Sequence, residues 1–395
     1  MIKWLDKLIP RSAIVVLVLL TAGAMVGFAV VGHLVTRYNA NQRARGRKLY
    51  AQGVADLNSG NADRALEDFR AALTSDPNNS QYQLTLGRAL RDTGRLDEAQ
   101  SYLESLWQRA PESGTINLAL ARVAARRGSL VDALRYYHNA IYGIWPSDAD
   151  VNRRNAQIEL IEFLLQKSAL AQARSELLAL VASLPHDSGL ELRTAELMVQ
   201  AQDYDDALAE YERVLRSDRG NAAALAGAGE TAYRAGRYRT AQRYLQSAVN
   251  ANPHDSNLRD LLASTNEVLQ TNPFAHRISD AERNRRLAAA FEGAGQRLIS
   301  CAQQRGIDLG TVNPPGSSLS PPASPASPLA ALESRWLATK PDIRRLRYAG
   351  ENDLPDVIMD LVFSIEQQTA QDCGEPQGAN RALLLIARNR DTADQ

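Results

Sequence analysis

Cysteine is nearly missing from this chain: Cys301 and Cys373 are the only two in 395 residues. That is too few for a disulfide-rich scaffold or a four-thiolate zinc site. Aromatic residues reach only 6%, while alanine and leucine abound, a balance that favours helix over sheet. Neither charge sign prevails, since Lys+Arg and Asp+Glu both number 45. A nucleic-acid binder carries a basic excess, so that class is set aside. The motifs of common catalysis are missing as well. None of His33, His138, His186, His254 and His276 sits in an H-E-x-x-H pairing, and neither a G-x-x-x-x-G-K-[ST] loop nor a G-x-S-x-G elbow occurs. These absences point to a protein that is not an enzyme, with no metal and no cofactor.

One long apolar run is present. From Ser12 to Thr36 there is no Asp, Glu, Lys or Arg. At about 1.5 Å per residue this exceeds the ~30 Å hydrocarbon core of a bilayer. Residues 12–36 are therefore expected to form a transmembrane helix behind a short basic segment, 1–11. Trp4 and Tyr38 fall where the two interfaces would lie. The rival reading is a cleaved signal peptide, with Ala22-Gly23-Ala24 as the cleavage site. The apolar stretch continues past it to Leu34, which favours the anchor. Gly23 and Gly27 form a G-x-x-x-G, a motif that can pair two spans as a homodimer; lipid-facing filler is the plainer reading. Lys3, Lys7 and Arg11 precede the span, and Arg37, Arg43, Arg45, Arg47 and Lys48 follow it. That count favours a cytoplasmic body. A short basic N-terminus ahead of a first span is also an ordinary signal-anchor layout for an exported one.

Beyond the span the sequence repeats. Starting points at Gly46, Ser80, Gly114, Arg154, Ser188 and Ala222 are 34 residues apart, except for one interval of 40. The six extra residues lie around Trp145 to Asp150 and read as an enlarged loop. In this register the eighth position carries Gly53, Gly87, Ala121, Ile161, Ala195 and Gly229. The fifteenth carries Gly60, Gly94, Gly128, Ser168, Gln202 and Gly236. The twentieth is always alanine: Ala65, Ala99, Ala133, Ala173, Ala207 and Ala241. The twenty-fourth is large: Phe69, Leu103, Tyr137, Leu177, Tyr211 and Leu245. Pro77, Pro111, Pro185 and Pro253 stand at the thirty-second. Small residues at eight and twenty allow two helices to approach closely. Glycine at fifteen suits a left-handed turn after a helix. Proline ends the unit. A single helical pair cannot bury its apolar face alone, so neighbours must stack.

This pattern resembles the tetratricopeptide repeat (TPR) family over 46–253, with units 46–79, 80–113, 114–153, 154–187, 188–221 and 222–253. It departs from the family in lacking tryptophan at position four, and in Ile161 and Ser168 of the fourth unit. The resemblance implies an all-α fold: a right-handed solenoid of about six helical hairpins behind the transmembrane helix. It further implies a concave groove, lined by the first helices, that binds a protein or peptide partner. By position the groove receives Arg88, Arg91, Arg122 and Arg126, then Glu162, Glu196, Glu230 and Tyr233. Its charge thus changes sign along the array, which would orient a partner; ordinary solvated helix charges are the alternative reading. The family's clamp for a C-terminal carboxylate has no match, because Tyr50 and Val54 occupy the corresponding positions.

Residues 254–272 continue as an amphipathic helix expected to cap the array. Beyond it come a helix in 273–308, a Pro/Ser-rich linker over 309–328, and a helical segment, 329–395. Cys301 and Cys373 either close a disulfide around the linker or remain unrelated thiols. A bond there would mean an oxidising compartment. The expected role is a membrane-tethered scaffold at a bacterial-type inner membrane, for envelope assembly, secretion or quality control. The body is placed outward by the cysteine pair and inward by the flanking charges. A recognition arm serving an active C-terminal module is the alternative.

Overall fold

A computed structural model describes residues 11–307, 327–345 and 353–389. Lys3, Trp4 and Lys7 lie outside the described residues, as does nearly all of the Pro/Ser-rich linker. The described residues are helical, and they divide into two compact units, 1–168 and 169–395.

The first unit opens with one uninterrupted helix, α1 (Arg11–Asn58), of 48 residues. The expected span and the first helix of the first repeat are thus a single element. The cause is local: after Pro10 no proline occurs until Pro77, so nothing stops the helix between the apolar run and the repeat. The apolar part packs against nothing and has a mean hydropathy of 2.1. Then come α2 (Ala62–Ser75), α3 (Ser80–Asp92), α4 (Leu96–Trp107), α5 (Gly114–Arg127), α6 (Leu130–Ile141) and α7 (Ala149–Gln166). α1, α3 and α5 pack on α2, α4 and α6 respectively, and each of these even helices packs on the first helix of the following repeat.

The packing follows the 34-residue register. Ala65, Ala99 and Ala133 are buried, as are Phe69, Leu103 and Tyr137 four residues on. Phe69 lies over Gly53 and Leu103 over Gly87, so closely that a Cβ on either glycine would fall within 2.8 Å of the opposing side chain. Asn79 and Ser113 cap α3 and α5, each side-chain oxygen accepting from a main-chain N–H three residues on.

The insertion corrects an expectation. Only residues 142–148 are loop. The rest of the extra length joins α7, which starts five residues before the repeat register places it. Trp145 donates its indole N–H to the Ala140 carbonyl at 2.9 Å. Ile144 exchanges main-chain hydrogen bonds with Glu112 and Gly114 at 2.8 and 2.9 Å.

The second unit contains α8 (Leu170–Val181), α9 (Ser188–Gln200), α10 (Tyr204–Ser217), α11 (Ala222–Arg234), α12 (Tyr238–Ala251) and α13 (Ser256–Thr271). Asp187, Asn221 and Asp255 cap α9, α11 and α13 as Asn79 and Ser113 do in the first unit. Four further helices follow: α14 (Asp280–Gln304), α15 (Pro328–Arg345), α16 (Leu354–Cys373) and α17 (Gly378–Arg388). The cap reading of α13 also needs correction, because its outer face does not end the array. Val268 on α13 and Tyr238 on α12 share one core with Leu287, Phe291, Val362 and Ile386 of the C-terminal helices. The Tyr238 ring is buried, and its hydroxyl accepts from Asn389 Nδ2 at 3.2 Å. Cys301 and Cys373 are bonded, with Cα atoms 5.8 Å apart, joining α14 to the end of α16.

Candidate partner-binding face

In the first unit the expected basic groove residues gather on the first helices of successive repeats, but most of their charge is already used. Arg122 on α5 donates from Nε and Nη2 to both oxygens of Glu159 on α7, at 2.8 and 2.5 Å. This hydrogen bonding is the main reason the Arg122 pKa is raised, against an opposing effect of burial. Arg91 on α3 is held by Asp92 through Nε and Nη2, at 2.9 and 2.8 Å. Arg126 donates to the Arg91 carbonyl at 2.8 Å and stands 3.6 Å from Asp92.

Arg88 differs. It makes no ion pair among the described residues, and its buried Nε meets no acceptor. Burial pushes its pKa down, and the Arg122 and Arg91 charges act in the same direction. A guanidinium keeps its proton nonetheless, so this face holds one half-buried cation without an ion-pair partner, eased only in small part by the Asp92 charge. Beside it Tyr50 and Thr85 share a hydrogen bond of 3.1 Å between hydroxyls, and Gln81 Nε2 donates to Tyr50 at 3.3 Å. Tyr50 stacks on Tyr82 with centroids 4.8 Å apart. The face therefore brings a cation without an ion-pair partner together with aromatic and amide groups. Glu162 lies half-buried on α7.

In the second unit Glu196 on α9 receives Arg193 Nη1 at 3.3 Å. Glu230 on α11 accepts from Asn257 at 3.5 Å. Tyr233 shares a 3.0 Å hydrogen bond with Ser264 and meets Tyr238 edge-on, centroids 5.7 Å apart. It is partly a packing residue, held against the same core as the C-terminal helices.

One charged group escaped the sequence reading. Glu191 and Glu210 are both buried, and Arg213 reaches them at 3.1 and 2.5 Å. Burial is the chief reason the Glu210 pKa is raised. In sequence each of the three is an ordinary helix charge; only the fold shows that they are enclosed together.

The tetratricopeptide-repeat family description matches residues 57–122, 90–141 and 198–264. No curated protein matches the sequence. Among solved structures, YrrB, described as a TPR protein with an unusual peptide-binding site, is 17% identical with a TM-score of 0.37, over 50% of this chain and 97% of its own. PilF of Pseudomonas aeruginosa is 16% identical with a TM-score of 0.38, over 56% and 99%. The C-terminal part of a TPR repeat-containing protein from Cytophaga hutchinsonii is 13% identical with a TM-score of 0.43, over 60% and 93%. With the family match falling on these helical hairpins and their repeating contacts, residues 57–141 and 198–264 are tetratricopeptide repeats.

Proposed function

We propose that this chain is a membrane-tethered scaffold whose repeats bind a partner protein, without catalysis of its own. The observation that carries the reading is Arg88: a half-buried cation with no carboxylate of its own, on the helix face that TPR proteins present to partners. Leaving such a group unsatisfied costs free energy in the unbound protein, and an acidic side chain of a partner removes that cost. Glu196 and Glu230 offer the opposite sign to basic groups.

The apolar half of α1 supports a single-pass anchor, because an exposed run of this length is costly in water and fits a bilayer. The Cys301–Cys373 bond supports an oxidising compartment and hence a periplasmic body at a bacterial inner membrane. The flanking charge count argues for the cytoplasmic side. Work in envelope assembly, secretion or quality control fits a tethered scaffold of this kind. The shared core with α12 and α13 favours a packing role for the C-terminal helices over a separate activity.

The test places a photo-crosslinking amino acid at Gln81, exposed on α3, or at Glu67, exposed on the second helix of the first repeat. In cells expressing the full chain, a discrete adduct from the Gln81 position and none from Glu67 is expected. Equal adducts from both, or none, would remove the reading.

A further inference from the structure

Around the point where the apolar run gives way to the first repeat, α1 carries five cations: Arg37, Arg43 and Arg45 before Gly46, and Arg47 and Lys48 just after it. All are exposed, and none makes an ion pair or side-chain hydrogen bond among the described residues. From Arg11 the first acidic residue is Asp56, so nothing along this stretch offsets them. They serve no packing role either. Contact with the repeats begins at Gly46, which faces Ala72, Ser75 and Tyr82. At about 100° per residue, Gly46 lies about 180° around the helix from Arg37. Arg45, Arg47 and Lys48 fall within about 80° of Arg37 on that outer side. The helix thus turns one face to the repeats and four of these cations away from it, while Arg43, about 60° around from Gly46, precedes the first contact.

We infer that this basic stretch is a binding site for anionic phospholipid headgroups in the leaflet on the C-terminal side of the span. The inference rests on the membrane reading above. The continuous helix fixes the heights. Counting about 1.5 Å per residue from Val35, Arg37 stands about 3 Å beyond the apolar run, Arg43 about 12 Å and Arg45 about 15 Å. The headgroup layer is about 5–8 Å deep, and the Debye length at physiological salt is about 8 Å. These three arginines therefore lie within the attractive field of an anionic surface. Arg47 and Lys48, about 18 and 20 Å out, feel only its tail. Tyr38, at the apolar boundary, suits the same interface. Each cation near such a surface strengthens the attraction about fivefold at low salt. Because α1 does not break before Asn58, gripping the headgroups also sets the height of the first repeat.

The test uses the full chain in vesicles, with spin-labelled phosphatidylglycerol or phosphatidylcholine as the reporting lipid. In 50 mM salt the protein should restrict the anionic label several-fold in preference to the zwitterionic one. That preference should fall to parity in 1 M salt and in the combined variant Arg37→Gln, Arg43→Gln, Arg45→Gln. Inorganic phosphate at matched ionic strength should leave it intact, which separates a lipid site from a free-phosphate site. Equal restriction of both labels, or a preference that survives in the variant, would overturn the proposal. Extraction of the wild-type chain from neutral vesicles by alkaline carbonate would instead sink the membrane reading beneath it.

Discussion

Leu103 on α4 rests directly on Gly87 of α3, where a Cβ would come within 2.8 Å of its Cγ and Cδ2. The same relation joins Phe69 to Gly53 and Leu245 to Gly229. Hairpin closure in these repeats depends on the missing side chain. Gly87→Val should cost about 1–3 kcal/mol by overpacking. In the double variant with Leu103→Ala the two losses should fall short of their sum by roughly 1 kcal/mol, since the cavity admits the new methyls. Urea denaturation of the four proteins measures this; strict additivity would mean the two sites do not touch.

The turn after each first helix requires a left-handed residue. Gly60, Gly94, Gly128 and Gly236 adopt φ between 75° and 83°, and Ser168 and Gln202 are driven to 56° and 58° in the same place. Gln202→Gly should therefore raise stability by about 0.5–1 kcal/mol despite glycine's entropy in the unfolded chain. Gly236→Gln should lower it by a similar amount. Thermal melts of both variants check the pair of signs.

Arg213 holds two buried carboxylates. Arg213→Ala removes the nearest counter-charge of the enclosed Glu191 and Glu210 and should cost about 3–5 kcal/mol. Replacing all three by Met, Leu and Leu should come within about 1 kcal/mol of wild type or exceed it. A triple variant as unstable as Arg213→Ala would show that the loss comes from shape rather than charge.

Glu366 on α16 is fully buried, 3.3 Å from Arg297, and burial pushes its pKa up to about 7 despite that guanidinium. In the unfolded chain a glutamate titrates near 4.3. The folded state thus holds the proton more tightly, and the stability tied to that proton is complete below about pH 4.3 and lost as pH rises through about 7. This group alone makes the second unit roughly 2–4 kcal/mol more stable at pH 4 than at pH 8. Glu366→Gln should flatten that part of the profile and stabilise the protein at pH 8. Calorimetry across the range reads it directly.

Much of this architecture was legible because TPR packing places a small residue, a turn and a large residue at fixed separations. Gly87, Ala99 and Leu103 announce their contacts by spacing alone. The caps Asn79, Ser113, Asp187, Asn221 and Asp255 were equally readable: each is a short polar side chain just before a repeat begins. Other features depend on distance in space and not in sequence. The Arg122–Glu159 pair spans 37 residues, a separation that depends on the lengthened α7. Glu191, Arg213 and Glu210 look solvated until the fold encloses them. The docking of α14 and α17 on α12 and α13 has no period to betray it, so the residues that make it, Tyr238 and Val268 among them, could not be picked out in advance. The span and the first repeat were drawn as two elements because composition changes sharply near Arg37, although no helix-breaking residue lies there.

The disulfide gives the C-terminal helices a second hold. It closes a separation of 72 residues, worth about 4 kcal/mol on the chain-entropy view. Reduction, or Cys301→Ser with Cys373→Ser, should lower the melting of the second unit and speed proteolysis between α14 and α16. An unchanged digestion pattern would mean that the shared core with Tyr238 and Val268 holds these helices without the bond.

Arg88, lacking an ion-pair partner of its own, is expected to receive an acidic group of a partner. Once the Gln81 crosslink identifies that partner, its Kd should be measured by calorimetry against the wild-type chain and Arg88→Glu, with Arg109→Glu as an exposed control on the loop after α4. Arg88→Glu should lose at least tenfold in affinity, easing as salt is raised, and the control should change less than twofold. Equal affinity of the Arg88→Glu and wild-type chains would contradict it.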